Sequence, residues 1–279
     1  MTLTDAELLE ANRREYDRGV DPLLVLAVYE PVHQGWWLTN IGGLPVLDFI
    51  RERLPPRAQV LELCSGLADA CRYLALHGDC SVTGVELNPR QVEAARARLS
   101  AEPELAGRIQ IVEGDVLAWT PPRAYDAAFA VDALMMIREV EAALASTLRA
   151  LRPGGWFAGA EIMAGPAITG ADRRYVWEEG AIVSLPTLAE YAGLLERAGF
   201  ADVQVRDITG QAVSFFRRVR SAVEERKARL IQAGGEEGHR MWVELAERYG
   251  ALFEERHLTY GLITGARPAL TAGLSAGPA

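Results

Sequence analysis

The chain has 279 residues, 49% hydrophobic and 24% charged, with 26 glycines and 14 prolines. This is the make-up of a globular protein with a full core, and it excludes a disordered, collagen-like or coiled-coil chain. Acidic residues outnumber basic ones, 38 to 29, for a net charge of −9, so nucleic acid is not an expected partner. Cys64, Cys71 and Cys80 form neither a CxxC pair nor a cluster with histidines, and no stretch reaches about 18 apolar residues. A cytoplasmic, soluble protein is therefore expected, with no disulfide framework, metal site or membrane span.

From about residue 58 to residue 208, short β-rich runs alternate with amphipathic helical patterns, as in a parallel sheet covered by helices. Residues 59–63 read as the first strand, followed by a helix that places Leu67, Ala70, Cys71 and Leu74 on one face. A second strand over 81–86 ends at Asn88-Pro89, a helix cap and first-turn proline, before a helix burying Val92, Ala95 and Leu99. Strands over 109–113 and 125–131 precede a helix with Val140, Ala143, Leu144, Thr147, Leu148 and Leu151 on one face, stopped by Arg152-Pro153-Gly154-Gly155.

A fifth strand over 156–162 leads into a long loop over 163–185. Thr187 and Glu190 then form a capping box for a helix closed by Gly199, before a strand over 202–208. Residues 211–255 read as two helical pieces separated at Gly234-Gly235, inserted before a last strand over 257–264. The predicted fold is a Rossmann-like, doubly wound, mainly parallel seven-stranded sheet. Residues 1–57 form N-terminal helices and a lid, 58–210 the core, 211–255 a helical cap, 256–268 the last strand and 269–279 a tail.

In such sheets ligands bind beyond the carboxyl ends of the strands, near the reversal of strand order. Four segments there carry suitable groups. Residues 62–69 form a small-residue turn in which Gly66 lets the backbone approach a ligand. Glu86 ends the second strand and can accept both hydroxyls of a ribose. Asp115 can accept from an adenine amino group while Val116 offers its amide, and Asp132 lies in the fourth segment, 130–134. Each alone is more often a solvated cap or turn former. Their recurrence in order is the signal.

The runs VLELCSGLAD (60–69), GVELNPRQVEAA (84–95), IVEGDVLAW (111–119), YDAAFAVDALMMI (125–137) and LRPGGWFAGAEIM (151–163) resemble those of the class I S-adenosylmethionine-dependent methyltransferases. Over residues 29–43 the chain more loosely resembles small-molecule members such as the sarcosine/dimethylglycine, phosphoethanolamine and prenyl-diphosphate methyltransferases. The resemblance implies S-adenosyl-L-methionine as cofactor and S-adenosyl-L-homocysteine as product. It places Tyr16, Trp37, Glu62, Cys64, Ser65, Gly66, Glu86, Leu87, Gln91, Asp115, Val116 and Val131 at the cofactor. The partner it implies is a small-molecule acceptor methylated on nitrogen, carbon or oxygen, with a homo-oligomer left open.

Two features depart from the family pattern. Cys64 and Ala68 stand where the loop usually carries glycine, and Met136 stands where many small-molecule members carry a histidine near the acceptor. Methionine accepts no proton, so the base comes from elsewhere or the acceptor is already nucleophilic. His33, in the aromatic lid with Trp36 and Trp37, is the first candidate for a base or acceptor-orienting group, against a plain surface or capping role. Glu161 can bind an ammonium or orient a hydroxyl, or serve as an ordinary strand-end acid. Tyr175 and Trp177 offer a further wall, while His77 and His239 read as exposed helix-end residues. The alternatives are other chemistry on this fold, such as decarboxylation or cyclisation, or a cofactor-binding regulator without activity.

Overall fold

The computed structural model describes residues 28–36 and 38–269. Tyr16, Trp37 and the 269–279 tail beyond residue 269 therefore lie outside the described residues. After a helical turn at 28–32, the chain runs α1 (Gly43–Arg51), β1 (Ala58–Leu63), α2 (Asp69–His77), β2 (Cys80–Glu86), α3 (Pro89–Ser100), β3 (Ile109–Glu113) and β4 (Tyr125–Val131). It continues through α4 (Val140–Ala150), β5 (Leu151–Ala164), α5 (Gly170–Gly180), α6 (Leu188–Ala198), β6 (Ala201–Asp207), α7 (Thr209–Glu225), α8 (Lys227–Glu254) and β7 (Leu258–Ala266).

The seven strands lie in the order β3-β2-β1-β4-β5-β7-β6. The first five pair in parallel, and β7 runs antiparallel to both β5 and β6. Strand order reverses between β1 and β4, so the crevice beyond their carboxyl ends is the expected ligand position. β1 is an almost wholly buried apolar run, the pattern of a central strand covered by helices on both faces.

Local chemistry explains the helix ends that matter for the crevice. The Asn88 side chain accepts from the Arg90 amide and Pro89 opens α3. Thr187 and Glu190 form the reciprocal capping box of α6, whose chain leaves through Gly199 at φ 99°.

The structure corrects the sequence reading in four places. Helix α4 stops at Ala150 and β5 starts at Leu151, so Arg152-Pro153-Gly154-Gly155 is the irregular start of a strand. Its register against β4 shifts between Tyr125 and Ala127. The expected 163–185 loop contains α5, because Thr169 and Asp172 make a capping box in which Asp takes the usual Glu position. The cap breaks first at Arg226, between α7 and α8, and α8 then kinks at Gly235 (φ 69°). Finally, His239 is buried, not exposed.

The cap seals one end of the sheet through aromatic packing. Phe216 of α7 stacks on Tyr249 and Phe253 of α8, each with ring centroids 5.7 Å apart. Tyr29, from the helical turn before α1, meets Trp242 edge-on at 5.5 Å and so joins the lid segment to the cap.

Candidate active site

The first half of the site is the turn between β1 and α2. Its backbone takes left-handed values at Cys64 (φ 54°), Gly66 (φ 53°) and Ala68 (φ 63°), so a cysteine and an alanine occupy a conformation that favours glycine. Glu86 pins this turn: its Oε2 accepts from the Gly66 amide at 2.8 Å and its Oε1 from the Asn88 amide at 2.8 Å. Burial raises the Glu86 pKa, while the amides of Asn88, Gly66 and Leu87 pull it down. A carboxylate has about four lone-pair positions, so Glu86 keeps accepting capacity for a further donor.

Around this turn, Ser65 Oγ and Gln91 Oε1 are buried without a hydrogen-bond partner among the described residues. A Cβ on Gly66 would stand 3.3 Å from Gln91 Oε1, so the two groups close on one point. The ends of β2 and β3 lie side by side, with Glu86 in register with Glu113 and the Gly114 amide donating to the Glu86 carbonyl. Asp115 is therefore at the same sheet edge as Glu86. It is exposed, with Oδ1 accepting from the Leu117 amide at 2.9 Å. Leu87 is 49% exposed and Val116 is buried, giving this edge an apolar shelf next to two carboxylates.

A cavity of about 440 Å³ runs from this turn toward the cap, lined by Glu62, Cys64, Ser65, Gly66, Gln91 and Val131 at its loop end. Glu62 accepts from the Cys71 thiol at 2.8 Å, and burial pushes its pKa up to about 8. Cys64 is pushed well above the ordinary thiol range by burial and the surrounding carboxylates, which removes it as a nucleophile.

The second half gathers around Asp132, just beyond β4, where the backbone is again left-handed (φ 51°). Asp132 Oδ2 accepts from the Ile41 amide at 2.5 Å and from the Tyr260 hydroxyl at 3.2 Å, whereas Oδ1 is buried with no partner among the described residues. Burial raises the Asp132 pKa to about 7, against the pull of the Ile41 amide, the Tyr260 hydroxyl and the Gly42 amide. Asp132 lines both the main cavity and a smaller chamber of about 140 Å³ that opens under the cap.

Glu161 does not line either space. It is fully buried, and its carboxylate accepts from the amides of Ala133 (3.1 Å), Leu134 (3.0 Å) and Met135 (3.3 Å). Burial, then the charge of Asp132, raises its pKa to about 8. Glu161 thus fixes the turn that carries Met135 and Met136 into the cavity wall. The Met135 carbonyl in turn accepts from the amides of Val183 and Ser184, which ties the segment after α5 to the same turn.

Several other expected residues lie elsewhere. His33 is 3% exposed, its ring stacked on Tyr29 (6.3 Å) and Phe215 (5.5 Å), and it is absent from the walls of both spaces. Burial lowers its pKa to about 4, so it is a neutral packing group near pH 7. Trp36 turns away from the cavity onto α2, edge-on to Tyr73 at 5.0 Å. Tyr175 does form a wall of the cavity, and Trp177 does not. The sequence reading noted the 130–134 segment but gave Asp132 no role, and it missed Tyr260 and the cap aromatics Phe215, Phe216, Trp242 and Tyr249. The positions of Trp242 and Tyr249, seven apart on α8, were the available signal for an inward face.

Residues 60–155 match a methyltransferase domain family. The chain is 34% identical over 171 residues to an S-adenosyl-L-methionine-dependent Diels-Alderase, iccD, of Talaromyces variabilis, covering 56% of this chain and 57% of that protein. It is 26% identical over 250 residues to 27-O-demethylrifamycin SV methyltransferase of Amycolatopsis mediterranei, covering 86% and 90%. The fold superposes on Haemonchus contortus phosphoethanolamine N-methyltransferase 2 with a TM-score of 0.80 at 18% identity, over 91% of this chain and 59% of that one. The chain thus spans less than two thirds of the first and third of these relatives. Residues 60–155, which carry the motif-bearing strands, match a methyltransferase domain family in sequence, and the seven-stranded sheet matches the fold of that solved methyltransferase.

Proposed function

We propose that this protein catalyses methyl transfer from S-adenosylmethionine to a small-molecule acceptor. When bound, that cofactor supplies an electrophilic methyl group on a sulfonium sulfur. The residues present fit it. Glu86, Leu87, Asp115 and Val116 form the carboxylate and apolar edge suited to a nucleoside. The unpartnered Ser65 Oγ and Gln91 Oε1, with Glu62, Cys64, Gly66 and Val131, offer the polar and backbone groups for the rest.

The observation that carries the reading is Asp132, which lines the same cavity as the glycine-containing turn and whose buried Oδ1 has no hydrogen-bond partner among the described residues. With a pKa near 7, Asp132 is substantially ionised at neutral pH and basic enough to take a proton at Oδ1 from a hydroxyl or ammonium. Tyr260 and the Ile41 amide hold its other oxygen, so the base is oriented before the acceptor arrives. Met135 and Met136 wall the site and exclude water, and Glu161 holds both in place as a positioning residue.

The test is incubation of the full chain with methyl-labelled S-adenosylmethionine and a panel of metabolites, alongside calorimetry with S-adenosylhomocysteine. Binding with label transfer is expected; absence of binding sinks the reading. A second reading, in which the bound cofactor is not consumed, is favoured by the Diels-Alderase relative. It predicts acceptor conversion dependent on S-adenosylmethionine or its product but with no label in the new compound.

A further inference from the structure

The chamber beyond Asp132 defines what the acceptor is made of, an inference that rests on the methyltransferase reading above. Its walls are mainly aromatic and aliphatic, with Tyr29, Phe215, Phe216, Trp242 and Tyr249 from the lid and cap and Ile162 from β5. Thr39 and Asn40 are its neutral polar members. These rings form a continuous array, Tyr29 against Phe215 at 6.2 Å, Phe215 against Phe216 at 5.0 Å and Phe216 against Tyr249 at 5.7 Å. Such an array offers flat apolar faces to a ligand and no hydrogen-bond ladder.

The charged residues on these walls are all acidic. Asp132 and Glu179 line both spaces, and Glu62, Asp69 and Glu244 add to the larger one. Among the described residues, no Lys, Arg or His lines either space. Arginines close to the wall residues have acidic partners: Arg72 and Arg98 pair with Asp69, and Arg248 reaches Asp172 at 3.5 Å while its guanidinium lies over the Tyr175 ring. A phosphate or carboxylate in this chamber would be desolvated, would meet no cationic side chain on the described walls, and would lie beside Asp132 and Glu179. Two buried polar atoms of these lining residues have no hydrogen-bond partner among the described residues, Asp132 Oδ1, an acceptor when ionised, and Trp242 Nε1, a single neutral donor.

The geometry points to an uncharged, mainly apolar acceptor that presents one hydroxyl to Asp132, and to the exclusion of phosphorylated or carboxylated acceptors. In the transfer the hydroxyl proton passes to Asp132 Oδ1, the carbon–oxygen bond forms, and the carbon–sulfur bond breaks with its electron pair left on sulfur. The chamber therefore differs in chemistry from what a phosphorylated amine requires, although the fold superposes on a phosphoethanolamine enzyme. Specificity here comes as much from what the walls repel as from what they hold.

The test is calorimetry on the full chain saturated with S-adenosylhomocysteine, titrating 2-naphthol, 2-naphthoate and 2-naphthyl phosphate as size-matched probes. The expected order is 2-naphthol at least tenfold tighter than either anion, with the preference reduced at least tenfold in Asp132→Leu. Ile162→Trp, which fills the chamber, is expected to abolish naphthol binding; its own binding of S-adenosylhomocysteine reports that it is folded. Equal or tighter binding of either anion, no binding of any probe, or naphthol binding indifferent to both substitutions overturns the assignment. Loss of S-adenosylhomocysteine binding by the unaltered chain instead overturns the parent reading.

Discussion

The two halves of the site are built by different means. At the nucleoside half, main-chain amides do the holding: Gly66 and Asn88 converge on Glu86, and Leu117 on Asp115. At the acceptor half, two carboxylates gather separate segments: Asp132 accepts from the Ile41 amide and the Tyr260 hydroxyl, Glu161 from the amides of 133–135, and cap rings close the space. The first arrangement depends on a short contiguous loop next to a strand end. The second requires residues from β4, β5, β7, α7 and α8 to meet in space. Binding and chemistry should therefore fail separately when each half is altered.

The largest separation is expected at Asp132. Asp132→Asn keeps the size of the side chain but removes the proton acceptor, so turnover should fall by about 10²- to 10⁴-fold, the usual contribution of a positioned base. Calorimetry should still detect S-adenosylhomocysteine. In the unaltered chain, kcat/KM should rise through a pKa near 7 as Asp132 ionises, and this rise should vanish in the variant. Equal turnover in both proteins would move the base elsewhere.

Glu86→Ala probes the other half. The substitution removes the acceptor for two loop amides as well as the ribose-facing lone pairs, and hydrogen bonds to charged groups contribute about 1.5 to 3 kcal/mol each. Affinity for S-adenosylhomocysteine should drop by about 10- to 100-fold, measured by calorimetry. Asp115→Ala should cost less, because Asp115 is exposed and its partner amide at Leu117 can turn to water. A reversed order would place the nucleoside against β3 instead of β2.

Carboxyls buried in both halves make the stability of the fold depend on pH. Glu62 and Glu161 (each about 8) and Asp132 (about 7) have folded pKa values above the ordinary 4.5 and 3.8. Between about pH 4 and pH 8 the folded chain thus holds more protons than the unfolded one. Their contribution to stability is present in acid and lost as pH rises through the folded values. Thermal unfolding of the ligand-free chain should accordingly give a lower Tm at pH 9 than at pH 6, and Glu161→Gln should flatten that slope. A Tm rising over the same interval would mean these carboxyls are hydrated.

The contrast also explains what could be read in the sequence. The parallel strands announce themselves as apolar runs, and the nucleoside half sits directly after them, so Gly66, Glu86 and Asp115 follow from position alone. Asp172 in α5 was missed because Asp replaces Glu in the capping box. The acceptor half was opaque for a deeper reason. His33 and Asp132 are both polar residues in apolar surroundings, and only packing reveals that the imidazole stacks between Tyr29 and Phe215 while the carboxylate keeps a free oxygen. Burial then inverts their expected chemistry, lowering the histidine to about 4 and lifting the aspartate to about 7.

The smallest expected effect tests whether the nucleoside half owes its shape to its residues or imposes that shape on them. Cys64 and Ala68 hold φ values of 54° and 63°, a conformation that costs an L-residue about 1 to 2 kcal/mol. In Cys64→Gly that strain is relieved, but glycine gains freedom in the unfolded chain and offsets about 0.5 to 1 kcal/mol of the benefit. The net is a stabilisation of up to about 1 kcal/mol, which at this chain length is about 2 °C to 4 °C in Tm. Ala68→Gly, under the same constraint, should act in the same direction, and the two should gain less together than the sum of each alone because both relax one hydrogen-bonded turn. If both substitutions lower Tm, the turn does not keep the glycine backbone that Glu86 and the Gly66 amide impose, and the likeness of this half to its relatives would end at the strand.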